Sequence, residues 1–190
     1  TMHIFHGIKT YIKTEKNRYT TTFLLDYREK PRSLKLIHQL QPMKFNEVPK
    51  PILKTDIILL VPIANEFDYN FLNALKENLS RETLVGLDLQ GLLRVSDSSA
   101  NVKLFCTLEN KNILLKIFSE IGTRFFLKLD WEEAKAFTQK TTKHEIFNEF
   151  NSSNFHIFIT MGEKGLYYIH PGRDPLYIPA LEIKHVVDET

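Results

Sequence analysis

Residues 56–63, "DIILLVPI", carry the reading that decides the fold. Ile57 to Val61 are aliphatic without interruption. A strand with one face in water alternates apolar and polar residues. An unbroken apolar run is typical of a strand covered on both faces, as in a parallel sheet. The run has the length of a strand and falls well short of the ~18–20 apolar residues of a membrane span. Ile57–Val61 are therefore expected inside a parallel sheet.

Upstream the pattern is different. "YTTTFLLDY" (19–27) is β-branched and aromatic, "REKP" (28–31) breaks it, and "RSLKLIHQL" (32–40) alternates. Leu34, Leu36 and His38 fall on one side of that second stretch, Ser33, Lys35 and Ile37 on the other. Two strands about a charged, proline-containing turn read as a hairpin. "QPMKFNEVPKP" (41–51) is a connector. Downstream, "NEFDYNFLNALKENLS" (65–80) places Phe67, Phe71 and Leu75 on one helical face, with Leu72 and Leu79 adjacent. "TLVGLDLQG" (83–91) is a second buried strand that runs into Asp88 and Gly91. "NKNILLKIFSEIG" (110–122) is a helix closed by Gly122. "TRFFLKL" (123–129) is a strand. "DWEEAKAFTQK" (130–140) opens on Asp130 with Glu133 three later, a capping-box start. "KHEIFNEFNSS" (143–153) is a further helix, "FHIFITMGEKGLYYIHPG" (155–172) two strands about a glycine turn, and "LYIPALEIKHVV" (176–187) more strand. Strand–helix alternation with apolar strands predicts a parallel sheet with helices on its faces. Ligands of such sheets bind beyond the C-terminal ends of the strands. That rule gathers Asp88, Asp130, Glu133 and the Gly162/Gly165 loop along one edge.

Composition sets bounds on function. Of 190 residues, 43% are hydrophobic and 25% charged, which is ordinary for a globular chain with a sizeable core. Twenty-five basic against 23 acidic residues leave +2, which argues against a dedicated nucleic-acid or membrane surface. One cysteine, Cys106, permits no internal disulfide and no paired-cysteine metal site, and favours a reducing, cytoplasmic setting. The seven histidines show no HExxH-type spacing, so no zinc site is assigned. "TMHIFHGIKTY" (1–11) lacks the layout of a signal peptide.

Three stretches can carry chemistry, and each has a plainer explanation. Asp88 in "DLQGLLR" (88–94) stands at a strand end, where a carboxylate holds metal or substrate; Arg94, six residues on, suits phosphate. A polar loop with a capping Asp explains them equally. Asp130 and Glu133 in "DWEEA" suit a Mg²⁺–water–phosphate cluster, or simply cap a helix. Gly162 and Gly165 in "TMGEKG" (160–165) let backbone N–H groups approach an anion, or merely turn a hairpin.

Taken in order, "TTTFLLDYREKPRSLKLIHQLQPM", "DIILLVPIANEFD", "LVGLDLQGLLR", "LKLDWEEAKAFT", "FITMGEKGLYYI" and "IPALEIKHVVDET" resemble successive segments of the ribokinase-like (PfkB) family of carbohydrate and nucleoside kinases. The resemblance implies an α/β fold: a mainly parallel sheet flanked by helices, with a small antiparallel β lid. It implies ATP, Mg²⁺ and phosphoryl transfer to a hydroxyl of a sugar or nucleoside-like substrate. Asp130 and Glu133 match the family's Asn-x-x-Glu metal box, with Asp in place of Asn. Thr160, Gly162 and Gly165 match its nucleotide loop, and Arg94 is assigned with them to the cofactor. Asp88 and, in the lid, Thr22 are assigned to substrate. The region 1–190 is expected to be one partial domain, about 9–40 forming the lid and about 52–190 the core. The family's Gly-Gly segment would precede "TMHIFHG", and "VVDET" would run into a Gly-Ala-Gly-Asp turn whose Asp is the base. The catalytic base is thus expected beyond Thr190, and no residue present is assigned to it. On this reading the chain is the central part of an ATP-dependent kinase. Alone it should turn over little or not at all. The alternative is a catalytically inactive remnant that binds a nucleotide or a protein. Pairing of lid sheets into a homodimer fits an exposed sheet edge.

Overall fold

A computed structural model of the chain describes residues 11, 19–28 and 33–182. The expected closing strand past 182 and most of the lid before 19 lie outside them. Thr22–Asp26 (β1) and Ser33–His38 (β2) pair antiparallel, as the alternating pattern predicts. After the connector, Ile57–Leu60 (β3) leads into helix Tyr69–Asn78 (α1), whose first turn is capped by Asp68 accepting from Phe71 N at 2.7 Å. Leu84–Asp88 (β4) follows, then one helical turn, Gln90–Leu93 (α2), and a short hairpin of Arg94–Ser96 (β5) and Val102–Leu104 (β6). Helix Leu108–Ile121 (α3) is capped by Thr107 and ends at Gly122, which takes φ 69°. Phe125–Asp130 (β7), Trp131–Thr138 (α4), Lys143–Asn151 (α5) and His156–Thr160 (β8) repeat the alternation. Leu166–Ile169 (β9) and Leu176–Ile178 (β10) complete it.

The central sheet has six strands in the order β10-β9-β8-β7-β4-β3. β3, β4, β7 and β8 run parallel, while β9 and β10 add antiparallel. The sheet is mixed, since the Met161–Gly165 turn sends β9 straight back along β8. Ile58, Leu60, Val85, Leu87, Leu127 and Ile157 point to one face and are buried there against α1, α3, α4 and α5. Phe118 of α3 stacks on Phe125 at 4.3 Å, and Phe155 meets both edge-on at 5.7 Å. Each such ring contributes on the order of 2–3 kcal/mol on burial.

Two expectations need correction. "DIILLVPI" is not covered on both faces. β3 is the edge strand, and Ile57 and Leu59 are 57% and 71% exposed, whereas Ile58 and Leu60 are 6% and 7% exposed. The sheet is mainly parallel and flanked by helices as expected, and the described positions between the buried ones stay half-buried or exposed from β3 to β8. The lid is also larger than its sequence signal. "RVSDSSANVKL" folds as the β5–β6 hairpin about Asp97, whose Oδ1 accepts from Ser99 N and Asn101 N. It joins β2 through Leu36 N to Ala100 O at 2.9 Å. Its strands are three residues long, too short for alternation to register.

Candidate functional site

The parallel strands deliver their C-terminal residues to one edge. Asp88 ends β4, Asp130 ends β7 and Thr160 ends β8, with Asp130 and Thr160 direct neighbours in the β7–β8 register. Between the last two, a cavity of about 340 Å³ opens, lined among others by Asp130, Trp131, Thr160, Gly162 and Lys164. Asp130 is held there by a capping box. Its Oδ1 accepts from Glu133 N, and Glu133 Oε2 accepts from Asp130 N, both at 2.7 Å. Glu133 is 2% exposed and does not line the cavity. Burial raises its carboxyl above the ordinary carboxylate range. Asp130 and Asp88 push the same way, while the Asp130 N–H and Lys128 oppose.

The other wall is the turn between β8 and β9. Its backbone closes on itself through Met161 N to Gly165 O and Gly165 N to Gly162 O. Gly162 lines the cavity, has φ +58° and has open space where a Cβ would stand. Gly165 has φ +91° for a different reason: a Cβ there would overlap the backbone of Ile178 and Ala180. The loop is therefore a hairpin turn that presents one open glycine to the cavity. Thr160 Oγ1 reaches the Leu129 carbonyl only at 3.5 Å.

Asp88, Arg94 and Thr22 lie outside this cavity. Asp88 pairs with Lys128 Nζ at 3.0 Å and accepts from Gln90 N at 3.3 Å. Arg94 opens β5, donates to the Ile63 carbonyl at 3.1 Å and sits 5.3 Å over the Phe23 ring of the lid. Thr22 bonds its hydroxyl to Thr20 O. A wider groove of about 1000 Å³, between residues 41–47 and the start of α1, contains none of the predicted site residues. Sequence reasoning missed Lys128. The signal was present: two residues before Asp130 in a strand, it shares Asp130's side of the sheet. It missed Glu66 as well, whose carboxylate accepts from Ile63 N and Ala64 N, each at 2.7 Å.

Among the described residues no three His, Cys, Asp or Glu side chains gather into a metal cage. Asp130 lines the cavity with one carboxylate oxygen committed to the cap, and Glu133 is turned inward. Mg²⁺ holds several waters and takes one or two carboxylates beside phosphate oxygens. The residues fit a hydrated Mg²⁺–phosphate group and do not fit a dedicated protein cage.

No family model matches the sequence, and no curated protein matches it. Solved structures do. A fructokinase from Vibrio cholerae, in its fructose-, ADP- and calcium-bound form, aligns with TM-score 0.60 at 15% identity, over 90% of this chain and 54% of its own. A pyrophosphate-dependent kinase of the ribokinase family aligns with TM-score 0.60 at 17% identity, over 79% and 49%. Adenosine kinase from Sinorhizobium meliloti aligns with TM-score 0.56 at 11%, over 77% and 42%. The chain has the ribokinase fold. This ribokinase-fold chain spans about half the length of those solved relatives. Among its described residues no helix is long and apolar enough to cross a membrane.

Proposed function

We propose that the chain carries the phosphoryl-donor side of a kinase that moves the γ-phosphoryl of ATP to a hydroxyl of a sugar or nucleoside-like alcohol. The observation that carries the reading is the shared cavity of Asp130, Thr160 and Gly162 at the ends of two adjacent parallel strands. In it, Asp130 would hold Mg²⁺ through water. Bound there, Mg²⁺ would supply neutralisation of phosphate charge. Glu133 positions Asp130 from behind through the capping box. Gly162 lets phosphate oxygens approach the backbone, and Thr160 offers a hydroxyl beside it. Asp88 is the acceptor-side carboxylate, paired with Lys128. Thr22 belongs to that acceptor side. Arg94, which bonds the Ile63 carbonyl and lies over the Phe23 ring, is assigned to the phosphate of the nucleotide. Relatives whose names give fructose and adenosine as substrates support the acceptor class.

Trp131, the only tryptophan, lines the cavity and reports on it. Titration with ATP, ADP or pyrophosphate should shift its emission, and removal of Mg²⁺ with a chelator should weaken the response. Asp130→Asn keeps a good helix cap, because Asn and Asp cap comparably. It should leave unfolding stability within about 0.5 kcal/mol while the Mg²⁺-dependent part of the response disappears. A flat Trp131 signal at millimolar nucleotide, or an unchanged Mg²⁺ dependence in Asp130→Asn, sinks the reading.

A further inference from the structure

The cavity beside Asp130 has a cation that the glycine spacing of its turn did not single out. Lys164 lines it, two residues past Gly162, and is the one cationic residue on its wall among the described residues. Its side chain is exposed, and among the described residues its ammonium has neither an ion pair nor a hydrogen bond. The neighbouring lysines are all engaged. Lys128 pairs with Asp88 at 3.0 Å, Lys135 with Glu132 at 2.7 Å, and Lys143 donates to the Tyr167 hydroxyl at 2.5 Å. The backbone of Lys164, by contrast, is held from several sides. Lys164 N donates to Met161 O at 3.2 Å. Its carbonyl accepts from the Tyr177 hydroxyl of β10 at 2.6 Å. The next residue is Gly165, whose missing Cβ lets Ile178 and Ala180 close on the turn. Tyr177 is itself fixed, its ring 5.1 Å from that of Tyr167, its register partner in β9.

Charge decides what such an ammonium can do. The wall also bears Asp130, Glu132 and Glu163. Glu132 is paired by Lys135, which leaves two carboxylates against one ammonium. A polyphosphate entering this cavity is repelled unless cations meet it on both walls. Asp130 would supply one, through hydrated Mg²⁺. We infer that Lys164 supplies the other: it pairs with the phosphate oxygens of the donor from the turn wall, and Tyr177, bonded to its carbonyl, is the positioning residue that fixes where the ammonium reaches. This role rests on the donor-site reading proposed above. A lysine ammonium is a point charge on a flexible stem, which suits a tetrahedral phosphate approached from any direction. It reads charge and not the base, so the ligand class is a di- or triphosphate with or without a nucleoside.

The test follows Trp131 emission while the native chain and its variants are titrated with ATP and with tripolyphosphate, in Mg²⁺ and in chelator. Lys164→Gln should weaken ATP about tenfold, the order of one charge-assisted hydrogen bond, and weaken tripolyphosphate by the same factor. In chelator, where the Asp130 wall no longer contributes, the native chain should keep a response to both ligands and Lys164→Gln should lose it. Lys164→Arg, which keeps the charge, should retain most of the affinity. Lys164→Gln is an exposed substitution and should leave the melting temperature unchanged. Tyr177→Phe keeps the ring packing and should weaken both ligands about fivefold. Made on top of Lys164→Gln it should weaken neither further, since a residue that acts through Lys164 has nothing left to position. A native response that Lys164→Gln leaves unchanged overturns the inference and leaves the donor site standing. A native chain whose Trp131 responds to neither ligand overturns both. A loss confined to ATP overturns the inference too, because the contact is then to the nucleoside. Additive losses in the double variant remove Tyr177 from its role.

Discussion

Gly165 and Gly162 sit three residues apart in one turn, both at positive φ, and should behave differently when substituted. At Gly165 the new methyl meets the backbone of Ile178 and Ala180, which cannot swing aside like a side chain. Gly165→Ala should cost about 3 kcal/mol or more, the sum of left-handed strain and overpacking. Gly162→Ala meets nothing within 4 Å and should cost only about 1–2 kcal/mol. Urea unfolding of the two variants checks the ordering. In the sequence the glycines looked equivalent, because spacing records a turn and not what packs on it. The Asp130/Glu133 pair was legible as a cap for the opposite reason: a capping box is entirely local, and both of its bonds form. His156 adds a pH effect. Burial, and then the nearby His170, hold its pKa below the ordinary histidine value, and its Nδ1 lies 2.7 Å from Tyr168 Oη. The unfolded ring takes a proton at pH values where the native ring stays neutral. Stability from this source is therefore full above about pH 6.5 and is lost as pH falls through that value toward the lowered native one, then levels off. His156→Phe keeps the ring stack and should flatten the dependence in unfolding titrations.

Glu66 is one of the residues through which the elements hang together at the lid. Glu66 collects Ile63 N and Ala64 N on one oxygen, lies 3.4 Å from Thr21 Oγ1 on the other, and offers its carbonyl to Met43 N. The end of β3, the connector and β1 thus share one residue. Hydrogen bonds to a charged group are worth about 1.5–3 kcal/mol. Glu66→Ala should cost about 2 kcal/mol and speed amide exchange in β1 ahead of the core. Glu66→Gln, which keeps an acceptor, should lose less. Equal exchange in β1 and β7 of Glu66→Ala would remove the anchoring role. The β1–β2 hairpin could be read from its alternation, and the helices from their apolar faces and caps. The attachment of the lid could not, since it rests on contacts between residues as far apart as Thr21 and Glu66, and Phe23 and Arg94.

At the scale of the molecule, the parallel direction of β3, β4, β7 and β8 followed from strand–helix alternation, while their order in the sheet is the structure's own finding. So is the edge position of β3. A continuous apolar run states that two faces want cover, and whether both obtain it is decided by neighbours distant in sequence. The site was legible to the same extent: position at a strand end is set by topology, so Asp130 and Thr160 meet, whereas the reach of Asp88 and Arg94 depends on side-chain partners. One consequence of the bare β3 edge belongs to the life of the chain in a cell. Five aliphatic residues without a charge, on a strand whose second edge has no partner among the described residues, are a template for cross-β growth. Asp56 before the run and Pro62 after it are the gatekeepers that bracket the hazard: a charge repels the next copy, and a ring without an N–H ends its ladder. Those two residues stand between an open β3 edge and edge-to-edge growth.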